Sequence, residues 1–301
     1  MRPPVFRVDG EGADASAGRV VWSPVKTVWI GSLVMAALAF APATASVGAV
    51  TMFALVTYTT LLLGHSVGMH RCFIHRSFDV PKPLERLLVY VGVLVGMAGP
   101  FGILRIHDIR DWAQRERRCH DFFSHRKPLW LDALWQLTCR FEFDRPPRFC
   151  IEPEVRDDPW YRWMERTWML QQVVPAAILY AIGGWPWVAW GVFVRVPVSV
   201  TGHWIVTYLT HNPGPGIWRV PDAGVQASNL AGCGFITMGE CWHNNHHAFP
   251  ESARMGLQRS EFDPGWWVIR ALMRAGLVRR VGLPRTERLR EDLERIEGVP
   301  R

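Results

Sequence analysis

All eleven histidines of this 301-residue chain fall between His65 and His247. They recur in groups: His70-x4-His75, then His107, then His203 with His211, and His243-x-x-His246-His247. Residues i, i+3 and i+4 of a helix share a face, so the last group offers three imidazoles to one point. His203, Thr207 and His211 line a face in the same way. Imidazoles gathered like this suit iron, copper, zinc or nickel, and the spacing predicts a metal site. The H-E-x-x-H pair of zinc hydrolases and a phosphate-cradling glycine loop do not occur in the sequence.

The elements that must position these histidines show in the distribution of charge. Charged residues make up 20% of the chain, an ordinary soluble value that conceals their placement. No Asp, Glu, Lys or Arg occurs from Thr27 to His70, nor from Thr167 to Val194. A bilayer core takes about 20 apolar residues to cross, so these runs predict spanning helices. Residues 27–67 split at Ala41-Pro42-Ala43 into one hairpin. Residues 168–209 form a second, with its turn at Gly183-Gly184-Trp185-Pro186. Trp22, Trp29, Trp163, Trp168, Trp185 and Trp187 flank the runs, where interfacial Trp is expected.

The two turns, 41–47 and 183–186, carry no Lys or Arg. If each hairpin crosses and returns, every basic segment lies on one side, and the positive-inside rule makes that side cytoplasmic. All histidine groups then share it with both termini. The apolar run Leu87–Leu104, broken at Gly99-Pro100, must lie in the interface or re-enter (residues 87–106) rather than cross. The expected fold is an all-α membrane protein: four transmembrane helices in two hairpins, with a cytoplasmic helical cap (107–166 and 212–280) carrying the metal site. The whole membrane domain would run over 27–280.

The remaining features are secondary. A net charge of +7 is read as a basic membrane-facing surface and not as nucleic-acid binding, since no run of five basic residues occurs. Six cysteines without C-x-x-C spacing predict free thiols. Residues 1–26 lack the apolar core of a signal peptide and are expected to be disordered. Arg195 sits within a spanning helix, where a charge is paired or functional. Trp266–Leu277 reads as an amphipathic helix with Ile269, Leu272 and Met273 on one face. Leu289, Leu293 and Ile296 suggest a charged C-terminal helix over 281–301.

Two long motifs carry a resemblance. Gly64-His65-Ser66-Val67-Gly68-Met69-His70-Arg71, continued by His75-Arg76-Ser77-Phe78, resembles the first histidine box of the membrane fatty acyl desaturases, in particular their acyl-CoA (stearoyl-CoA-like) branch. Gly239-Glu240-Cys241-Trp242-His243-Asn244-Asn245-His246-His247-Ala248-Phe249-Pro250 resembles the third. Trp204–His211 resembles the segment supplying a further ligand, with His211 at the ligand position and Thr207 where that branch has a water-bridging Asn. Phe122-Phe123-Ser124-His125 also has a counterpart, and the likeness covers residues 61–280. It implies a histidine-held non-haem di-iron centre. Such a centre uses O₂ and two electrons from a separate carrier protein to desaturate a fatty acyl chain, carried on coenzyme A, a carrier or a phospholipid.

The middle box departs from the family. Where H-x-x-H-H is expected the chain reads His107-Asp108-Ile109-Arg110-Asp111. Arg110 cannot ligate a metal. Asp111 can, or it can simply pair with Arg110. His120 and His125 lie close enough in sequence to replace a ligand; His65 and His203 are extra histidines near the site, and Glu240 is a candidate partner for a ligand imidazole. The expected ligands are thus His70, His75, His107, Asp111, His211, His243, His246 and His247, holding two irons or one. Desaturation is the expected outcome, with iron-dependent lipid hydroxylation or non-catalytic metal binding as the alternatives.

Overall fold

A computed structural model of the chain describes residues 6–284 and 293–296. The first hairpin opens with α1 (Pro24–Phe40), where the Ser23 hydroxyl accepts from the Lys26 N–H, a typical N-cap. After a short turn at Pro42–Thr44, α2 (Val47–Thr59) begins under the Ser46 cap and runs on without a break as a π-helix from Thr60 to Ile74. Together these make an apolar helix of 28 residues, long enough to cross a bilayer, while α1 is the shorter arm.

The second apolar segment, Leu170–Thr210, folds back on itself at Gly184, whose φ of 65° and ψ of −162° suit only glycine. The return brings Leu179 against Gly191, where an added Cβ would lie 2.5 Å from Leu179 Cδ1. Met52 of the first hairpin packs with Leu179, Val188 and Val192 to join the hairpins. Their outer faces expose Val28, Met35, Leu38, Leu55, Ile178 and Ile182. A soluble protein does not leave that much aliphatic surface wet, and the chain is a membrane protein.

The run 87–106 is two helices: α3 (Lys82–Val93) and α4 (Pro100–Arg115), separated by the non-helical stretch 94–99. A Cβ on Gly68 would meet the Leu88 carbonyl oxygen at 2.6 Å, and one on Gly64 would meet the Gly92 nitrogen at 2.5 Å. These glycines let α3 lie directly on the π-helix. Arg195 is buried and fully engaged: its guanidinium donates to Gly191 O (2.6 Å), Leu94 O (2.6 Å) and Gln172 Oε1 (2.5 Å). It thereby closes the carbonyl end of α3 that the break exposes.

Three expectations are corrected. The fold is mostly helical but not all-α, because three two-stranded antiparallel sheets occur among the described residues. Residues 1–26 are not disordered where described. Val8–Asp9 pairs with Arg148–Phe149, and Gly18–Trp22 pairs with Cys139–Phe143 in a β-rich run (RVVW). At the other end, Glu294–Arg295 is a strand on Trp218–Arg219, with Leu293 buried among Trp218, Ala248 and Phe249. At Glu294–Arg295 a strand thus stands where the helix over 281–301 was expected; Leu289 lies outside the described residues. The amphipathic helix is present at Pro264–Arg274, with Ile269 buried.

Candidate metal centre

The first box is positioned by the π-helix. An α-helix would set residues five apart about 140° out of line, but i→i+5 hydrogen bonding stacks them. The His75 N–H donates to His70 O at 3.0 Å, as that geometry requires. His65, His70 and His75 consequently form a column. The rings of His65 and His70 are nearly parallel with centroids 6.1 Å apart, and those of His70 and His75 are 4.8 Å apart.

His107 comes from α4 and sets Nε2 3.3 Å from His75 Nε2. His246 lies 4.6 Å from His70 and 4.5 Å from His75, ring centre to ring centre. One ligand nitrogen from each of His70, His75, His107 and His246 falls within 4.8 Å of the others. A second group, His211, His243 and His247, meets the same limit. Its His243 and His247 Nε2 atoms are 3.1 Å apart.

The short helix His243–Ala248 links the groups, sending His246 to the first and His243 and His247 to the second. Its two asparagines fix it from behind. Asn244 Oδ1 accepts the N–H groups of Ile217 and Trp218, while its amide donates to Trp218 O and Ala227 O. Asn245 donates to Met255 O and Glu261 Oε2.

Several imidazoles have one nitrogen anchored and the other turned inward. His70 Nδ1 lies 2.5 Å from Glu240 Oε2, His107 Nδ1 lies 3.1 Å from Asp108 Oδ1, and His211 Nδ1 lies 2.7 Å from Thr207 O. The buried Nε2 atoms of His70 and His211 have no hydrogen-bond partner among the described residues. Carboxylate or carbonyl on one nitrogen and a cation on the other is how ligand histidines are held, so the residues present fit a metal. The two clusters are consistent with a di-metal site.

Electrostatics points the same way. Burial first, and neighbouring imidazoles second, hold His75, His243 and His246 well below the usual histidine range. Burial likewise lowers His211, and it holds His247 to about 4 against the counter-pull of Asp111. These rings stay neutral, the form that binds metal.

Asp111 lies beside His107 and is not among the mutually close ligand atoms of either group. Its Oδ2 is 3.7 Å from His107 Nδ1, and Arg110 Nη2 is 3.5 Å from its Oδ1. Burial pushes its pKa up, but His107, Arg110 and His247 outweigh this and hold it below the usual carboxylate range. The Arg110 pair and the position against the imidazoles thus coexist.

The other candidates separate cleanly. His120 stands outside both groups: its Nδ1 accepts from the Phe122 N–H and its ring packs on Phe141, so it caps a helix turn. His125 is buried, its ring centre 5.5 Å from that of His211. Its Nδ1 lies 3.0 Å from Asp132, which also accepts from the Trp204 indole, and its Nε2 has no partner among the described residues. The Thr207 hydroxyl donates to His203 O within its own helix. Sequence reading missed Asp108, Asp132, Ser66 and the Arg71–Asp263 brace (2.8 Å). Only Asp108, next to His107, carried a visible signal.

Comparison with known proteins agrees with this geometry. Residues 45–282 match the family model described as fatty acid desaturase. The chain is 36% identical over 256 residues to an sn-1 stearoyl-lipid 9-desaturase of Synechocystis, covering 83% of this chain and 77% of that one. It is 34% identical over 258 residues to the sn-1 stearoyl-lipid 9-desaturase of Anabaena variabilis, covering 85% and 92%. An icosanoyl-CoA 5-desaturase of Limnanthes douglasii is 30% identical over 251 residues, covering 80% and 67%. The relatives thus include lipid-linked as well as CoA-linked desaturases.

Proposed function

The chain belongs to the fatty acid desaturases, which are membrane oxidoreductases, and from that premise we propose that it desaturates a fatty acyl chain at a two-iron centre. The observation that carries this reading is the pair of adjoining histidine groups, each with inward nitrogens and anchored outward ones. His70, His75, His107 and His246, with Asp111, would hold one iron. His211, His243 and His247 would hold the other, with His125 in place of the ligand that Arg110 replaces. Thr207, through its carbonyl, and Glu240 and Asp108 orient imidazoles and do not bind metal.

Iron with O₂ and two electrons supplies the oxidising power that an unactivated C–H bond demands, beyond the reach of acid–base chemistry. The protein's own residues do the rest. Neutral imidazoles keep the ligand set loaded, and the anchored nitrogens fix tautomer and direction. The apolar hairpins admit the acyl chain from the bilayer. The electrons come from a separate carrier protein, as the family resemblance implies. The acyl group is carried on lipid or coenzyme A, and both termini and the metal centre face the cytoplasm.

Hydroxylation is the second reading, favoured by the three-histidine second group beside Arg110. Fatty acid profiles of a host expressing wild type or His243→Ala test both. New double bonds that vanish in the variant support desaturation, and hydroxy acids support the second reading. Unchanged profiles together with iron-free protein overturn the first.

A further inference from the structure

Two histidines, His65 buried and His203 partly buried, are used by neither metal group. His65 and His203 meet edge to face, with ring centroids 4.5 Å apart. With Arg110 they line a cavity that His70, His107 and His243, members of both groups, also line. Isoleucine and valine side chains complete the walls together with Thr207, Thr210 and Glu240. His65 is only 7% exposed, and its Nδ1 has no hydrogen-bond partner among the described residues. Arg110 Nε is likewise unmatched.

A plain hydrocarbon chain pressed against these side chains would exclude water from those polar atoms and leave them unsatisfied, which is costly. A hydroxyl or keto oxygen on the chain would satisfy them, because a neutral imidazole presents one donor and one acceptor. Arg110 is already balanced by Asp111 at 3.5 Å, so the match is to a neutral oxygen and not to a carboxylate. We propose that the acyl chain this enzyme takes already bears an oxygen substituent near the carbons to be oxidised, held by hydrogen bonds to His65 and His203. This rests on the desaturase reading and narrows its substrate. A hydration or hydroxylation reaction must then supply that substrate.

Binding to the full-length, detergent-purified protein, followed by tryptophan fluorescence, tests the proposal. The probes are methyl stearate and a series of methyl hydroxystearates with the hydroxyl moved along mid-chain. At least one hydroxystearate should bind wild type about tenfold more tightly than methyl stearate. That preference should disappear in His65→Leu and His203→Leu and persist in the polar variants His65→Asn and His203→Gln. Methyl stearate binding wild type as tightly as every hydroxystearate would overturn the proposal and leave the desaturase reading intact. Failure of every acyl probe to bind would overturn both. The wild-type comparison decides the matter even if a leucine variant does not fold.

Discussion

Glu240 reaches back 170 residues to His70, placing Oε2 2.5 Å from the ring Nδ1 while Oε1 accepts from Ser66 Oγ at 2.5 Å. The carboxylate keeps the proton on Nδ1 and so leaves the Nε2 lone pair free for a metal. Glu240→Gln preserves the shape and removes the charge. Affinity at the first histidine group should fall about tenfold to hundredfold, measured by competition with a chelator. Unchanged affinity would reduce the contact to packing.

Asp111 is tested by metal content. Asp111→Ala should lose roughly half of the iron bound by wild type, because a missing ligand empties its site before its neighbour. Asp111→Asn, which keeps the size but weakens the donor, should fall between the two. Equal iron in all three proteins would leave Asp111 as no more than the partner of Arg110.

Acid should destabilise the metal-free protein. His75, His211, His243, His246 and His247 have lowered pKa values in the fold. Below the ordinary histidine pKa of about 6.5 the unfolded chain therefore binds more protons than the folded one. Their contribution to stability is present above that pH and is lost as pH falls below it; for His247 the loss levels off near its folded value of about 4. The thermal midpoint should drop between neutral pH and pH 5. Metal loading should fail over the same range, since protons compete for the ligands.

Arg195→Met removes three hydrogen bonds while keeping most of the volume. It leaves the Leu94 carbonyl with only the Gln172 amide and the Gln172 carbonyl oxygen unpaired. The cost should be on the order of 3 kcal/mol, read as a lower unfolding midpoint in detergent. A midpoint equal to that of wild type would contradict a structural role for the buried charge.

The hairpins were legible because a bilayer imposes a plain rule: no charge over a spanning length. The third box was legible as a helix face because His243, His246 and His247 follow α-helical spacing, but they do not meet at one point: His246 joins the first group, and His243 and His247 join the second. The first box was legible only as a motif. Its five-residue interval converges only in a π-helix, and residue types do not announce that local winding. The Asp132–His125 contact and the strand Gly18–Trp22 escaped for another reason. The strand depends on a partner about 120 residues along the chain, and the contact on a left-handed turn at His125 within seven residues; no local pattern in polar or short segments encodes either.

The pairing of Gly18–Trp22 with Cys139–Phe143 also sets an order of events during synthesis. The first strand leaves the ribosome about 120 residues ahead of its partner, a delay of roughly 6–24 s at ordinary elongation rates. The first hairpin and α3 are made in that interval, while the strand edge stays open. The sheet is therefore a late seal, joining a segment made before membrane insertion to one made after it. A tag that crowds Gly18 would hinder that closing step while leaving insertion itself untouched.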